Sequence, residues 1–95
     1  MQINPMCEEL RGGYAELVFV GTGTVESLNP DAQVIKTHSM GVTVSNPMVV
    51  VNLGQNRLQW EVNGTGGGTL SLSFRNVSAT SAGGNYKVFV FDLHQ

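Results

Sequence analysis

The clearest pattern in the chain is an alternation of apolar and polar residues on both sides of a glycine-rich break. Every second residue is apolar from Arg57 to Asn63, and again from Leu70 to Arg75. Successive side chains on a strand point to opposite faces, so each half has one apolar and one polar face. The two halves, joined by residues 63–68, therefore predict an antiparallel hairpin with one buried and one solvated face.

The register of this hairpin is restricted by the same alternation. Residues directly opposite each other in an antiparallel pair share a face, so the two apolar sets must oppose each other. One register pairs Trp60 with Leu72 and sets Arg57 opposite Arg75, which is an unfavourable like-charge pair. A shift by two residues keeps the faces and sets Arg57 opposite Ser73. We favour the shifted register.

Short apolar or β-branched runs bounded by glycine, proline and asparagine fill most of the remaining chain. They predict further strands over residues 14–20, 24–28, 33–39, 41–45, 48–53 and 85–93. We expect Gly21–Gly23 to close the first strand, Asn29–Asp31 to form a turn, and Gly54–Asn56 to be a hairpin loop.

About seven to eight short strands in one chain of this length are typical of an all-β antiparallel β-sandwich. The expected domain covers residues 14–95 and is of the jelly-roll or immunoglobulin-like type. The order of its strands stays open, because periodicity does not report long-range pairing.

We expect residues 1–13 to form a separate N-terminal arm or a short helix. Asn4 is a favourable N-cap residue, Pro5 suits the first helical position, and Glu8 and Glu9 would lie near the positive end of the helix dipole. A helix of this length does not hold without packing. An arm that orders only against a neighbouring molecule is the alternative.

Three of the predicted strands are apolar on both faces, which a two-layer sandwich cannot bury. The last strand carries Val88 and Val90 on one face and phenylalanines on the other, and the runs 14–20 and 48–53 behave alike. A strand that is apolar on both faces must be covered on both faces. We therefore predict a homo-oligomer, with a trimer preferred, whose interface contains Phe89, Phe91, Leu93, Val49 and Val51. The alternative is that these strands lie at sheet edges or corners, where twist lets both faces touch the core.

The composition narrows the classes of partner. Charged residues make up 13% of the chain, about half of the roughly 25% usual in soluble domains, and a weakly charged surface is typical of extracellular or virion β-proteins. The net charge is −2 and the five basic residues are dispersed, which argues against a nucleic-acid partner. No signal peptide or bilayer-spanning run is predicted. We expect a virion or cytoplasmic protein without a membrane partner.

Known catalytic and ligand-binding patterns are not matched. Gly21–Gly23 lacks the third glycine of a dinucleotide site, and Gly64–Gly68 lacks the lysine of a phosphate-binding loop, so both segments are expected to be turns. Cys7 is the single cysteine and His38 and His94 the only histidines, too few for a structural zinc site. Asp92 and His94 share a strand face, where we expect a solvated pair.

An enzyme is not expected either. His38 and Ser39 are neighbours, but adjacent strand residues point to opposite faces and cannot act as a base and its nucleophile. The carboxylates are dispersed along the chain. We predict no catalytic residue, no metal and no cofactor.

These observations favour a non-enzymatic structural module that self-associates and docks on a larger protein assembly. Among such modules, they favour an accessory virion protein of a bacteriophage, such as a capsid-decorating or fibre-associated protein. The loop expected to contact the larger body consists of Gly64, Thr65, Gly66, Gly67 and Gly68. The alternative is a small carbohydrate-binding β-sandwich. It would use the polar face of the central hairpin, with Tyr14 and Tyr86 as aromatic platforms.

Overall fold

A computed structural model describes residues 13–94, which form six strands in two three-stranded antiparallel sheets. The strands are β1 (Tyr14–Leu28), β2 (Gln33–Ser39), β3 (Pro47–Asn52), β4 (Leu58–Gly66), β5 (Thr69–Asn76) and β6 (Ala82–His94). Sheet A has the order β1-β6-β3 and sheet B the order β2-β5-β4. The predicted all-β class is confirmed, and the two sheets are compatible with a sandwich. Residues 13–94 contain six strands instead of the seven or eight predicted. The helix or arm predicted for residues 1–13 lies almost wholly outside the described residues.

The first two predicted strands are a single strand, β1, and the turn expected at Gly21–Gly23 is wrong. A Cβ atom on Gly23 would lie 2.4 Å from the hydroxyl oxygen of Tyr86, and one on Gly21 would lie 2.8 Å from the ring of Phe19. Glycine inside a strand often marks a close approach of another group. These two glycines leave room for aromatic rings and do not end the strand.

Two other predicted connections also differ. Residues 41–45 do not form a strand. The loop Gly54–Asn56 joins β3 of sheet A to β4 of sheet B, so it is not a hairpin loop. A short polar loop between two apolar runs also suits a crossing from one sheet to the other, and the local pattern does not distinguish the two cases.

The β4–β5 hairpin has the predicted faces and a register that differs from both predicted ones. Trp60 lies opposite Phe74, and Gln59 opposite Arg75. The turn consists of Gly67 and Gly68, with φ of 58° and 82°, the left-handed conformation that two-residue hairpin turns require. A register shift between Val62 and Gly64 accommodates one extra residue in β4. The sequence-based register assumed a loop over residues 63–68. It was wrong because the turn has only two residues and β4 contains this shift.

Side chains from both sheets meet in one core. Sheet A contributes Tyr86, Val88 and Val90, and sheet B contributes Leu70, Leu72 and Phe74, all of them buried. The rings of Phe74 and Tyr86 are 4.7 Å apart between centroids. Burial of apolar area at about 25 cal/mol per Å² is the main force that holds the two sheets together.

One buried polar residue, Asn76, ties three segments together at the end of this core. Its side chain is fully buried. The amide nitrogen donates to the carbonyl oxygens of Leu28 and Thr80, each at 2.8 Å. The amide oxygen accepts from the backbone N–H of Ser78 at 2.8 Å and from its hydroxyl at 2.7 Å. The end of β1, the β5–β6 loop and β5 itself are thereby joined through a single side chain.

Candidate functional site

The outer face of sheet A, which points away from sheet B, carries apolar side chains from all three of its strands. Two rows cross the sheet; the first contains Leu17, Phe91 and Met48, and the second Val20, Phe89 and Val50. The four residues that flank the phenylalanines keep 41–50% of their surface exposed. With Leu93, these positions form the outer patch, which consists of Leu17, Val20, Met48, Val50, Phe89, Phe91 and Leu93.

The structure separates the predicted interface residues into two groups. Phe89, Phe91 and Leu93 lie on the outer face, because Val88 and Val90 between them point into the core. Val49 and Val51 point inward instead: Val51 is 9% exposed and Val49 packs against the core. The structure therefore does not bring Val49 and Val51 to the same surface as the phenylalanines, where Met48 and Val50 lie instead.

A bulge in β1 supplies two outer-patch residues that sequence reasoning did not assign. Strict alternation puts Leu17 and Val20 on opposite faces. The pairing of β1 with β6 shifts between Leu17 and Phe19, and an extra residue of this kind re-aims the side chains that follow it. Leu17 and Val20 therefore share the outer face, while Phe19 packs against the core.

The polar end of the same face borders the outer patch. Thr22, Lys87 and Asn52 form the next row across the sheet, beside an open depression of about 510 Å³. The Lys87 ammonium lies 5.9 Å from the centroid of the Phe89 ring, a cation–π distance. An apolar area with a polar rim is typical of protein interaction sites.

The glycine-rich segment Gly64–Gly68 is not part of this surface. It lies at the exposed tip of the β4–β5 hairpin in sheet B, where the carbonyl of Gly68 accepts from the backbone N–H of Met40 at 2.7 Å. The structure therefore does not bring the predicted contact loop together with the outer patch.

His38 and Tyr86 form a polar contact between the two sheets. His38 Nε2 lies 2.6 Å from the Tyr86 hydroxyl oxygen, and the two rings meet edge to face at 5.7 Å. Burial lowers the pKa of His38 and raises the pKa of Tyr86. Both shifts favour the neutral forms, so the contact joins two uncharged side chains, one from each sheet.

The lowered pKa of His38 predicts a loss of stability in mild acid. The folded state binds the proton less tightly than the unfolded chain, whose histidine pKa is about 6.5, so stability falls as the pH drops below that value and through the folded pKa. Urea unfolding at about pH 7.5 and about pH 5.5 should show this loss, and His38→Gln should reduce it. An unchanged loss in His38→Gln would contradict the assignment.

A second polar cluster lies where β1 and β6 meet at the far end of sheet A. The Tyr14 ring stacks on the His94 ring at 4.7 Å. His94 Nε2 is 2.9 Å from a Glu16 carboxylate oxygen and 3.6 Å from an Asp92 carboxylate oxygen. The predicted Asp92–His94 pair thus includes Glu16 and is partly buried. Within residues 13–94, no group of three or more His, Cys, Asp or Glu side chains has an arrangement that could hold a metal ion.

The polar face predicted for carbohydrate binding is the outer face of sheet B. It holds a small groove of about 170 Å³, lined by Gln33, Gln59, Trp60, Glu61, Ser73 and Arg75. Several of its polar groups pair with each other or with neighbours: the Gln33 amide lies 2.5 Å from the Ser73 hydroxyl, and Arg75 pairs with Asp31. Of the two expected platforms, Tyr86 is buried and Tyr14 belongs to sheet A. The structure therefore does not bring an exposed tyrosine to this groove.

Comparisons of the chain with protein-family models, with curated proteins and with solved structures found no match. Residues 13–94 contain no helix long and apolar enough to cross a bilayer.

Proposed function

We propose that this chain is a non-enzymatic interaction module that associates with copies of itself through the outer patch. The observation that carries the proposal is the half-exposed state of Leu17, Val20, Met48 and Val50 around two phenylalanines. None of the seven outer-patch residues is charged, so two copies can meet there without bringing like charges together.

The size of the outer patch sets the strength of such a contact. Three strands about 4.8 Å apart and about six residues long, at about 3.4 Å per residue, give on the order of 300 Å². A standard interface buries about 800 Å² on each partner. Contact through the outer patch alone is therefore weak and depends on concentration, and a stable assembly needs additional contacts.

The kind of assembly that suits this module best is an accessory layer of a virion, such as a capsid-decorating or fibre-associated layer of a bacteriophage. The low fraction of charged residues supports this choice, because many identical copies can then lie side by side with little repulsion. Weak contacts between copies suffice when each copy is also held on a larger body. The exposed Gly64–Gly68 tip is the segment that we propose for that second contact.

The double substitution Leu17→Ser and Met48→Ser tests the outer patch. Both side chains are about half exposed and lie on either side of Phe91, so the fold should tolerate the change while the apolar contact is lost. We expect self-association to weaken by at least about tenfold, which corresponds to about 1.4 kcal/mol. Light scattering behind size exclusion, over a range of protein concentrations, measures it.

The matched control is Ile35→Ser. Ile35 is 52% exposed, close to the 50% of Leu17, but it lies in β2 on sheet B. Its substitution should leave self-association unchanged. A wild-type protein that is monomeric at every concentration, or an equal effect of the control, would contradict the proposal. Glycan binding by such a monomer, lost in Tyr14→Ala, would favour the carbohydrate-binding alternative, because Tyr14 is 59% exposed beside Glu16.

A further inference from the structure

Two strands of each sheet form its edges: β1 and β3 in sheet A, and β2 and β4 in sheet B. An edge strand presents N–H and C=O groups that can pair with another chain. Proteins usually protect such edges with bulges, with charged residues, or with a charged side chain that points inward.

Three of the four edges carry one of these protections. The pairing of β1 is irregular at two places, and β1 also carries Glu26. In β2, Lys36 lies opposite the buried Leu72, on the inward-facing side of the strand, and its ammonium pairs with the exposed Glu26 carboxylate at 2.9 Å. In β4, the register shifts after Val62.

The β3 edge differs from these three. Residues 47–52 read Pro-Met-Val-Val-Val-Asn, without a charged residue, and their pairing with β6 runs without a register shift. Its one protection is Pro47, at the start of the strand, which lacks a backbone donor. An uncharged, apolar and regular edge is a strong template for strand pairing.

The backbone groups that face the open edge are those of Val49 and Val51. The N–H of Leu93 in β6 donates to the carbonyl of Asn46 at 3.0 Å. Asn46 and Leu93 therefore form a hydrogen-bonded pair. Because hydrogen-bonded and non-hydrogen-bonded pairs alternate along an antiparallel ladder, the N–H and C=O groups of Met48 and Val50 also bond to β6. Val49 and Val51 point their N–H and C=O groups the other way. Within the described part of the chain, no turn or loop backbone group bonds to them.

We propose that β3 pairs antiparallel with β3 of a second copy, about a two-fold axis at Val50. Val49 then exchanges two hydrogen bonds with Val51 of the second copy, and Val51 exchanges two with Val49 of the second copy. The two copies of sheet A become one continuous sheet.

A second copy fits this edge because the edge is complementary to itself. A two-fold axis gives an isologous contact, in which each donor of one strand meets the matching acceptor of the other. Pro47, which has no N–H, lies outside the four bonds. Val50 faces Val50 of the second copy, with no charge opposed. The four hydrogen bonds use the edge of the sheet and not its face, and Val50 at the two-fold axis is the outer-patch residue that this contact includes.

Amide hydrogen exchange, resolved by residue with NMR at low and high protein concentration, tests the pairing directly. The amides of Val49 and Val51 should exchange fast in dilute protein and slow at least about tenfold on association. The amides of Met48 and Val50, which are bonded to β6, should be protected in both samples. The inference is overturned if Val49 and Val51 stay unprotected in an associated sample, if they are protected equally at all concentrations, or if the protein never associates.

A matched pair of variants separates this contact from the proposed function. Val50→Lys sets two lysines opposite each other at the two-fold axis, about 4.5 Å apart between Cα atoms, and should weaken association at least about tenfold. Mixing it with Val50→Glu should restore association. The matched variant is Val20→Lys. Val20 lies in the same row of the outer face as Val50 and is 45% exposed, against 43% for Val50, but it belongs to the opposite edge strand.

The outcomes of this comparison differ for the two proposals. If only Val50→Lys weakens association and the mixture recovers, the edge pairing stands and the outer-patch contact is contradicted. If Val20→Lys acts as strongly as Val50→Lys and the mixture does not recover, the copies meet face to face and the edge pairing is overturned. If both variants weaken association and the mixture recovers, both contacts stand.

Discussion

Replacing Asn76 with alanine should lower the free energy of unfolding by about 3 kcal/mol. The substitution leaves the carbonyl oxygen of Leu28 and the N–H of Ser78 without their present partner, while the carbonyl oxygen of Thr80 keeps the Ser78 hydroxyl at 2.7 Å. The Asn76 side chain that holds them is fully buried. A buried polar group without a partner costs about 1–3 kcal/mol. Urea unfolding followed by fluorescence of Trp60, the single tryptophan, measures the loss.

Two further variants calibrate this result. Ser78→Ala removes one hydroxyl, which lies 2.7 Å from both the Asn76 amide oxygen and the Thr80 carbonyl oxygen, and should cost about 1 kcal/mol. Asn56→Ala, at an exposed loop position, should cost less than about 0.5 kcal/mol. Dilute protein keeps self-association from adding to the apparent stability. A loss in Asn76→Ala no larger than that in Asn56→Ala would show that the three segments are not held by this side chain.

Replacing Gly83 with alanine should destabilise the fold by about 2–3 kcal/mol. The added Cβ atom would lie 2.6 Å from the carbonyl oxygen of Val25 and 2.9 Å from the carbonyl carbon and oxygen of Glu26. Because these are backbone atoms, no rotation of a side chain relieves the contact. Either β1 or β6 must move, next to the buried side chain of Val25. The thermal midpoint and the urea midpoint should both fall.

Gly66→Ala is the matched control for this substitution. Gly66 also lies in a strand, and a Cβ atom added there meets no atom within 4 Å. We expect a change of less than about 0.5 kcal/mol. Equal stability of the two variants would mean that β1 and β6 are not as close at this point as the structure has them.

The sequence alone predicts which residues of a strand face the core. It does not predict how the strands pair or where they begin and end. Alternation alone places Leu70, Leu72 and Phe74 on the buried face of β5. The register of the hairpin depends on which two glycines form the turn, and the segment 64–68 offers several pairs. The two glycines inside β1 look like a turn locally. They are explained only by the approach of Tyr86, which is distant in sequence.

The residues of the outer patch could likewise be predicted only in part from the sequence. The phenylalanines of β6 could be assigned to an outer face because their neighbours form a complete second apolar set. In β3 every residue from Met48 to Val51 is apolar, so only the pairing with β6 decides that Met48 and Val50 face outward. The contact between His38 and Tyr86 joins residues 48 positions apart, and no local pattern marks either residue for it.

The strand order of sheet A also constrains how the chain can fold during synthesis. β1 and β3 pair only with β6 and never with each other, and β6 is the last of the six strands to leave the ribosome. Sheet B can form from a chain that ends at Asn76, whereas sheet A has no partner for either edge strand until residues 82–94 emerge. Until then the apolar residues of β1 and β3 are exposed to other nascent chains, which makes this interval the one most open to aggregation and to help from chaperones.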